Sequence, residues 1–125
     1  MSGAHRFHVR PVQARLAAST GGYEIVHESP GVEVGVYVLV APEPDRQQPH
    51  EDDEIYVVLE GRGVLNVEGE EFPLTEGDAI FVPAGAPHQF TGYEGLRVLV
   101  IFAKPEGVGR PSMVIGAPAS EPPSP

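Results

Sequence analysis

Apolar and polar residues alternate along this chain in short runs that break at glycine and proline, a spacing that predicts strands and not helices. Val32 to Val40 is dense in β-branched and aromatic residues and ends at Ala41-Pro42-Glu43-Pro44, which predicts a strand stopped by a rigid loop. Ile55 to Leu59 predicts a second strand, closed by Glu60-Gly61-Arg62-Gly63. Val64 to Val67 and Glu71 to Leu74 flank Glu68-Gly69-Glu70, a short glycine-containing hairpin connection. Ala79 to Val82 follows, ended by Pro83-Ala84-Gly85-Ala86-Pro87, and His88 to Thr91 and Leu96 to Ala103 complete the set. Short strands at this spacing predict an all-β chain, either an antiparallel sandwich or a small barrel.

The two ends read differently. Residues 1 to 20 allow an edge strand around Phe7 to Val12 or a helical turn around Gln13 to Ala18. Residues Gly116 to Pro125 carry four prolines and one charge, too little apolar surface to offset the entropy of ordering them. The simplest parse is one domain over residues 5–112 with residues 113–125 as a flexible tail.

Composition agrees with many turns: 15 Gly and 14 Pro stand among 125 residues, which argues against a helix bundle. A hydrophobic share of 41% against 21% charged still supplies material for one core. Eight basic residues face 18 acidic ones, for a formal charge of -10, and the basic residues never cluster. Nucleic acid and anionic bilayers are poor partners for such a surface; metal cations suit it better. The absence of cysteine removes disulfides, thiolate nucleophiles and zinc-thiolate sites, so any metal must be held by His, carboxylate or amide oxygen. A cytoplasmic location is the default expectation. The longest apolar stretch, Val34 to Ala41, is far short of the roughly 20 residues that cross a bilayer. The acid-free start carries Arg6, Arg10 and Arg15 and faintly suggests a transit peptide, an idea opposed by Pro11 and the lack of a long amphipathic run. Val32 to Val40 is apolar on both faces, which predicts a homodimer that buries one of them.

Candidate chemistry gathers in two places. In Gln48-Pro49-His50-Glu51-Asp52-Asp53-Glu54, Gln48 and His50 stand two apart, so on extended backbone they face the same way, and Glu54 opens an otherwise apolar strand. A carboxylate there is costly to bury unless a cation or donor meets it. In Gly77 to His88, a strand and a tight Pro/Gly turn deliver one imidazole. Imidazoles and a carboxylate brought from separate strands, with open positions left, suit a reactive divalent metal. The plain readings stand beside these. His50 reads also as a solvated imidazole in an acidic loop, with Glu51, Asp52 and Asp53 as a solvated face. His88 reads also as a core imidazole bonded to backbone. Tyr56 and Phe90, two positions after Glu54 and His88, fall on the same faces and line the same interior; Tyr56 is a candidate catalytic proton donor, against the commoner role of core packing.

At these residues the chain resembles the cupin superfamily. The first motif of that family, G-x5-H-x-H-x3,4-E-x6-G, is approached by His50-x3-Glu54-x6-Gly61, and the second, G-x5-P-x-G-x2-H-x3-N, by Gly77-x5-Pro83-x-Gly85-x2-His88. Gln48 occupies the first histidine's place, Pro42 the leading glycine's, and Gly92 the closing asparagine's. The resemblance implies a double-stranded β-helix, or jelly-roll barrel, usually dimeric, with Fe, Mn, Ni, Zn or Cu inside it. Carried onto this chain it implies Gln48, His50, Glu54 and His88 as metal ligands, the amide oxygen of Gln48 being weaker than an imidazole.

Two functions follow from that resemblance. One is a metal-dependent enzyme, oxygenase- or isomerase-like, acting on a small polar organic substrate. The other is a non-catalytic small-molecule binding or sensor module with a structural or vestigial metal. His5, His8 and His27 have no partners at useful spacing and receive no role.

Overall fold

The computed structural model describes residues 3–42, 45 and 51–104. Its elements in chain order are α1 (Arg10–Ala17), β1 (Gly21–Ser29), β2 (Val32–Leu39), β3 (Asp53–Val67), β4 (Glu70–Thr75), β5 (Ala79–Val82) and β6 (His88–Ala103). All strand pairs are antiparallel, in the order β1-β2-β6-β3-β4, with β5 also on β3. β3 pairs with β5 along Glu54–Val57 and with β4 along Arg62–Val67, while β6 accompanies it on its other side from Asp53 to Val67. The sheet therefore rolls around one interior, as a double-stranded β-helix does.

Two of the expected strand breaks are bends. Ile55–Leu59 and Val64–Val67 are halves of β3, and His88–Thr91 and Leu96–Ala103 are halves of β6. The glycines between them kink the ladder without ending it: pairing shifts register between Val58 and Val64, then resumes. Gly61, at φ +80, sits so close to Gly95 and the Glu94 carbonyl that a Cβ would collide with both. A glycine there permits bending and close approach together.

The sequence pattern predicts no strand between residues 20 and 32, yet β1 pairs with β2 along nearly its whole length through the turn at Pro30 and Gly31. β1 is half-buried along most of its length and carries a register shift between Ile25 and His27, so its apolar residues never fall into clean alternation. At the N-terminus the edge strand expected near Phe7 to Val12 is absent. Pro11 instead starts α1, where its missing N–H costs nothing.

The core fills the rolled interior with Leu39, Tyr56, Val58, Leu65, Phe90 and Val98 among others. A second cluster lies outside the sheet, where Val12 and Leu16 of α1 pack on Val36 and Val38 of β2. This answers the two-faced apolarity of β2 within the chain: one face meets the interior and the other meets the helix. The expectation of a partner copy on β2 thus loses its premise. Exposed apolar residues remain further along, where Ile55 and Phe81 oppose each other across β3 and β5. Among the described residues no helix is long and apolar enough to cross a membrane.

Candidate metal centre

Glu54 and His88 reach one point inside the barrel from different strands. Glu54 is the second residue of β3, paired with Val82 of β5 and Phe102 of β6, and its inward direction follows from strand alternation, with Tyr56 and Val58 on the same face. His88 opens β6 directly after the Pro83–Pro87 turn. That turn is fixed by Ala86 N donating to the Pro83 carbonyl at 3.2 Å and Ala84 N donating to Asp53 Oδ1 at 2.9 Å. Asp53 is therefore more than part of a solvated acidic face: it ties the start of β3 to the turn that presents His88.

His88 Nε2 stands 3.3 Å from Glu54 Oε1 and 3.1 Å from the Tyr56 hydroxyl, while Nδ1 lies 2.8 Å from the Ala86 carbonyl. A carbonyl can only accept, so Nδ1 carries a proton and Nε2 is the nitrogen turned to the interior. Glu54 is 2% exposed and His88 7%. Burial pulls the imidazole pKa down, but the hydrogen bond and charge of Glu54, the Ala86 carbonyl and the charge of Asp45 together raise it above its ordinary 6.5. Tyr56 is pushed well above the ordinary phenol value, first by burial and then by the charge and hydrogen bond of Glu54. It stays a neutral hydroxyl, a donor and not a base.

One atom is left over. Among the described residues Glu54 Oε2 is buried without a hydrogen-bond partner, a costly state for a carboxylate oxygen unless a cation meets it. The donor set suits a divalent metal: a carboxylate oxygen free to ligate, and an imidazole whose outer nitrogen is oriented by a backbone carbonyl, the usual support of a metal-bound histidine. Gln48 and His50 lie outside the described residues, and among the described residues no group of three His, Asp or Glu assembles. Of the four expected ligands, then, two are placed, and they stand together.

Phe90 and Tyr56 are both fully buried, with ring centroids 4.9 Å apart at 69°, so Phe90 packs beside the site while the Tyr56 hydroxyl enters it. Sequence reasoning missed the polar groups behind them. Tyr37 donates to Asp45 Oδ1 at 2.7 Å, and Tyr23 donates to Glu33 Oε2 at 2.8 Å. Burial first, and then the adjacent carboxylate, raises both phenols. An acid between Pro44 and Arg46 carries no local sign of burial; only the pairing of β2 and β6 creates its donors.

Known proteins agree with this architecture. The family model described as "Cupin domain" matches residues 36–102. An uncharacterised protein of Streptomyces coelicolor is 39% identical over 101 residues, covering 80% of this chain and 96% of that protein. Auxin-binding protein 1 of Arabidopsis thaliana is 31% identical over 101 residues, covering 72% of this chain and 51% of that protein. Acireductone dioxygenase of Leishmania major is 35% identical over 88 residues, which cover 64% of this chain but only 26% of the enzyme. Among solved structures, a Thermus thermophilus protein superposes with a TM-score of 0.66 at 29% identity, covering 80% of this chain and 98% of that one. An RmlC-like cupin protein from Desulfovibrio desulfuricans gives 0.57 at 25%, covering 82% and 92%.

Proposed function

Because the chain belongs to the cupin domain family, whose model spans residues 36–102, we propose that its barrel holds a divalent transition metal and acts on a small polar organic substrate. Glu54 and His88 hold the ion, joined by His50 and, through its amide oxygen, Gln48. The observation that carries this reading is the buried Glu54 carboxylate, with one oxygen unpartnered among the described residues and the other 3.3 Å from His88 Nε2. When bound, the metal supplies a Lewis acid for a substrate oxyanion or enolate oxygen.

The chain's own residues do the rest. The Ala86 carbonyl holds His88 in one tautomer and orientation, and Phe90 and Val58 keep the surroundings dry. Tyr56 keeps its proton on the hydroxyl next to His88 Nε2, where it can donate to a substrate oxygen that gains charge. Substrates with vicinal oxygens, such as catechols and diketones, suit the site. The likeness to acireductone dioxygenases of three organisms favours an oxygenase-like reaction. The test is oxygen consumption and substrate loss with that panel. Glu54→Ala is expected to abolish metal binding and turnover together, and turnover by metal-free protein would overturn the reading.

A second reading, a non-catalytic binding or sensor module, is favoured by the likeness to an auxin-binding protein and by Gln48 standing in for an imidazole. A tightly held, redox-silent ion with no exchangeable position would select it. A cytoplasmic homodimer, with Ile55 and Phe81 at the contact between copies, completes the proposal.

A further inference from the structure

His5 and His27 stand 22 residues apart, a spacing that gives neither a partner in the sequence, yet the fold turns their rings together. His5 Nε2 lies 3.0 Å from His27 Nδ1, with ring centroids 4.9 Å apart and planes 32° from one another. The Phe7 ring stacks on His27 at 5.6 Å and 22° and lies 6.2 Å from His5. Three rings from two segments thus form one cluster.

A bulge in β1 aims His27 at that cluster. Glu24 pairs with Val36 and Ile25 with Gly35, but the next pair is His27 with Val34, so Val26 is an extra residue. Without it, position 27 would point with Tyr23 toward the interior. With it, His27 shares the face of Val34 and Val36, the outer face of the sheet on which α1 packs. The segment before α1 then brings His5 and Phe7 to it, on the opposite side of the sheet from Glu54 and His88.

The two facing nitrogens can share one proton or one cation. His27 Nε2 lies 3.1 Å from Ser29 Oγ, and that hydroxyl donates to the Val32 carbonyl at 3.5 Å, so Nε2 carries the proton and the Nδ1 lone pair is turned to His5. An outer nitrogen held in this way is the usual support of a metal-bound histidine. Two nitrogens 3.0 Å apart, each about 2.0–2.1 Å from one ion, subtend about 91–97° at it. That is close to the cis angle of a tetragonal ion, whereas a tetrahedral one would set them about 3.3–3.4 Å apart. Cu(II) prefers tetragonal nitrogen and oxygen ligands and stands highest in affinity among the divalent first-row metals.

We propose that His5 and His27 form a second metal site, outside the barrel, that takes Cu(II) between their facing nitrogens and fastens the segment before α1 to β1. Water or a small oxygen ligand fills the other positions, since among the described residues no third His, Asp or Glu joins the pair. The formal charge of -10 draws cations to the surface. The site shares no residue with the barrel centre and stands independently of the reading given for it.

Glu54→Met removes a ligand of the barrel centre, so calorimetric titration of the full Glu54→Met chain with Cu(II) isolates the outer site. One ion per chain is expected, with spin-echo EPR modulation from two imidazole nitrogens. Adding His5→Ala or His27→Ala should each remove that ion, and adding His8→Ala should not. No Cu(II) uptake by Glu54→Met, or uptake that survives His5→Ala or His27→Ala, would overturn the proposal. Equal uptake by wild type and Glu54→Met, with one ion still lost through His5→Ala, would count against the barrel centre and support the outer site. Should His27→Ala fail to fold, His27→Phe keeps a ring against Phe7 and removes the ligand, and it must lose the ion as well.

A second measurement reads the fastening. Arg6 is exposed between His5 and Phe7, and Pro11 shields Arg10 from trypsin, so cleavage after Arg6 reports release of this segment. With Cu(II) at a hundredfold excess over its dissociation constant, that cleavage should slow by about 100-fold in Glu54→Met, because only the released segment is cut. The same comparison in the His5→Ala variant measures any effect of Cu(II) on the protease itself. Equal slowing in the two proteins would contradict the fastening.

Discussion

Glu54→Met separates what the buried carboxylate does for the fold from what it does for a ligand. Methionine has nearly the volume of glutamate and no charge, so the substitution leaves no large cavity. In the metal-free protein it removes a 2% exposed carboxylate whose Oε2 has no partner among the described residues. An unsatisfied buried polar atom costs about 1–3 kcal/mol, more when charged. Relief of the carboxylate's desolvation, several kcal/mol, adds to that gain; against it stand the lost hydrogen bonds of Tyr56 and His88 to the carboxylate, each about 1.5–3 kcal/mol for a bond to a charged group. His88 and Tyr56 keep each other at 3.1 Å, so neither is orphaned. The balance favours methionine by about 1–2 kcal/mol without metal, a rise of roughly 4 °C in melting temperature for each kcal/mol in a domain of this size. With Zn(II) at a hundredfold excess over its dissociation constant the wild type should gain about 2.7 kcal/mol and the variant nothing, so the order of stability inverts. Denaturant unfolding with chelator and then with Zn(II) reads both. A Glu54→Met protein less stable than wild type in chelator would refute the reasoning, because Glu54 would then be a satisfied structural acceptor.

Other outcomes follow from the same geometry. A Cβ at Gly35 would fall on the Tyr23 ring, so Gly35→Ala must displace a ring whose hydroxyl donates to Glu33; a loss of about 1–3 kcal/mol is expected in urea unfolding, and an unchanged midpoint would mean the ring moves freely. Phe81 is 57% exposed opposite Ile55, and Phe81→Lys should convert a dimer to a monomer in sedimentation without lowering the melting temperature; a wild type already monomeric contradicts the interface. The raised pKa of His88 gives a signed pH dependence. In the metal-free chain its contribution to stability is complete below the ordinary value of 6.5 and is lost as pH rises through the higher folded value. A metal needs the neutral imidazole, so Zn(II) affinity should rise with pH over that window, and a flat profile would exclude His88 as a ligand.

Strand content was legible because period-two alternation and Gly/Pro turns are local signals. Strand continuity was not, since Gly61 and Gly95 look like terminators and act as bends only because a paired strand carries the ladder across them. α1 was half-visible, as the alternative of a helical turn around Gln13 to Ala18, but its reason to exist is the outer face of β2, a tertiary fact that also removed the argument for a partner there. At the candidate site, Glu54 and His88 stood out because a carboxylate in an apolar strand and an imidazole after a Pro/Gly turn are conspicuous. Asp45 was not conspicuous. Its burial depends on Tyr37 and Phe90 N, which lie 8 residues before it and 45 after it in the chain.

The central claim, a divalent metal held between Glu54 and His88, is tested most directly by calorimetric titration of the chelator-treated chain with Zn(II), beside Glu54→Met and His88→Ala. The account predicts one ion per wild-type chain and none in either variant. No binding by the wild type, or equal binding by Glu54→Met, would contradict it.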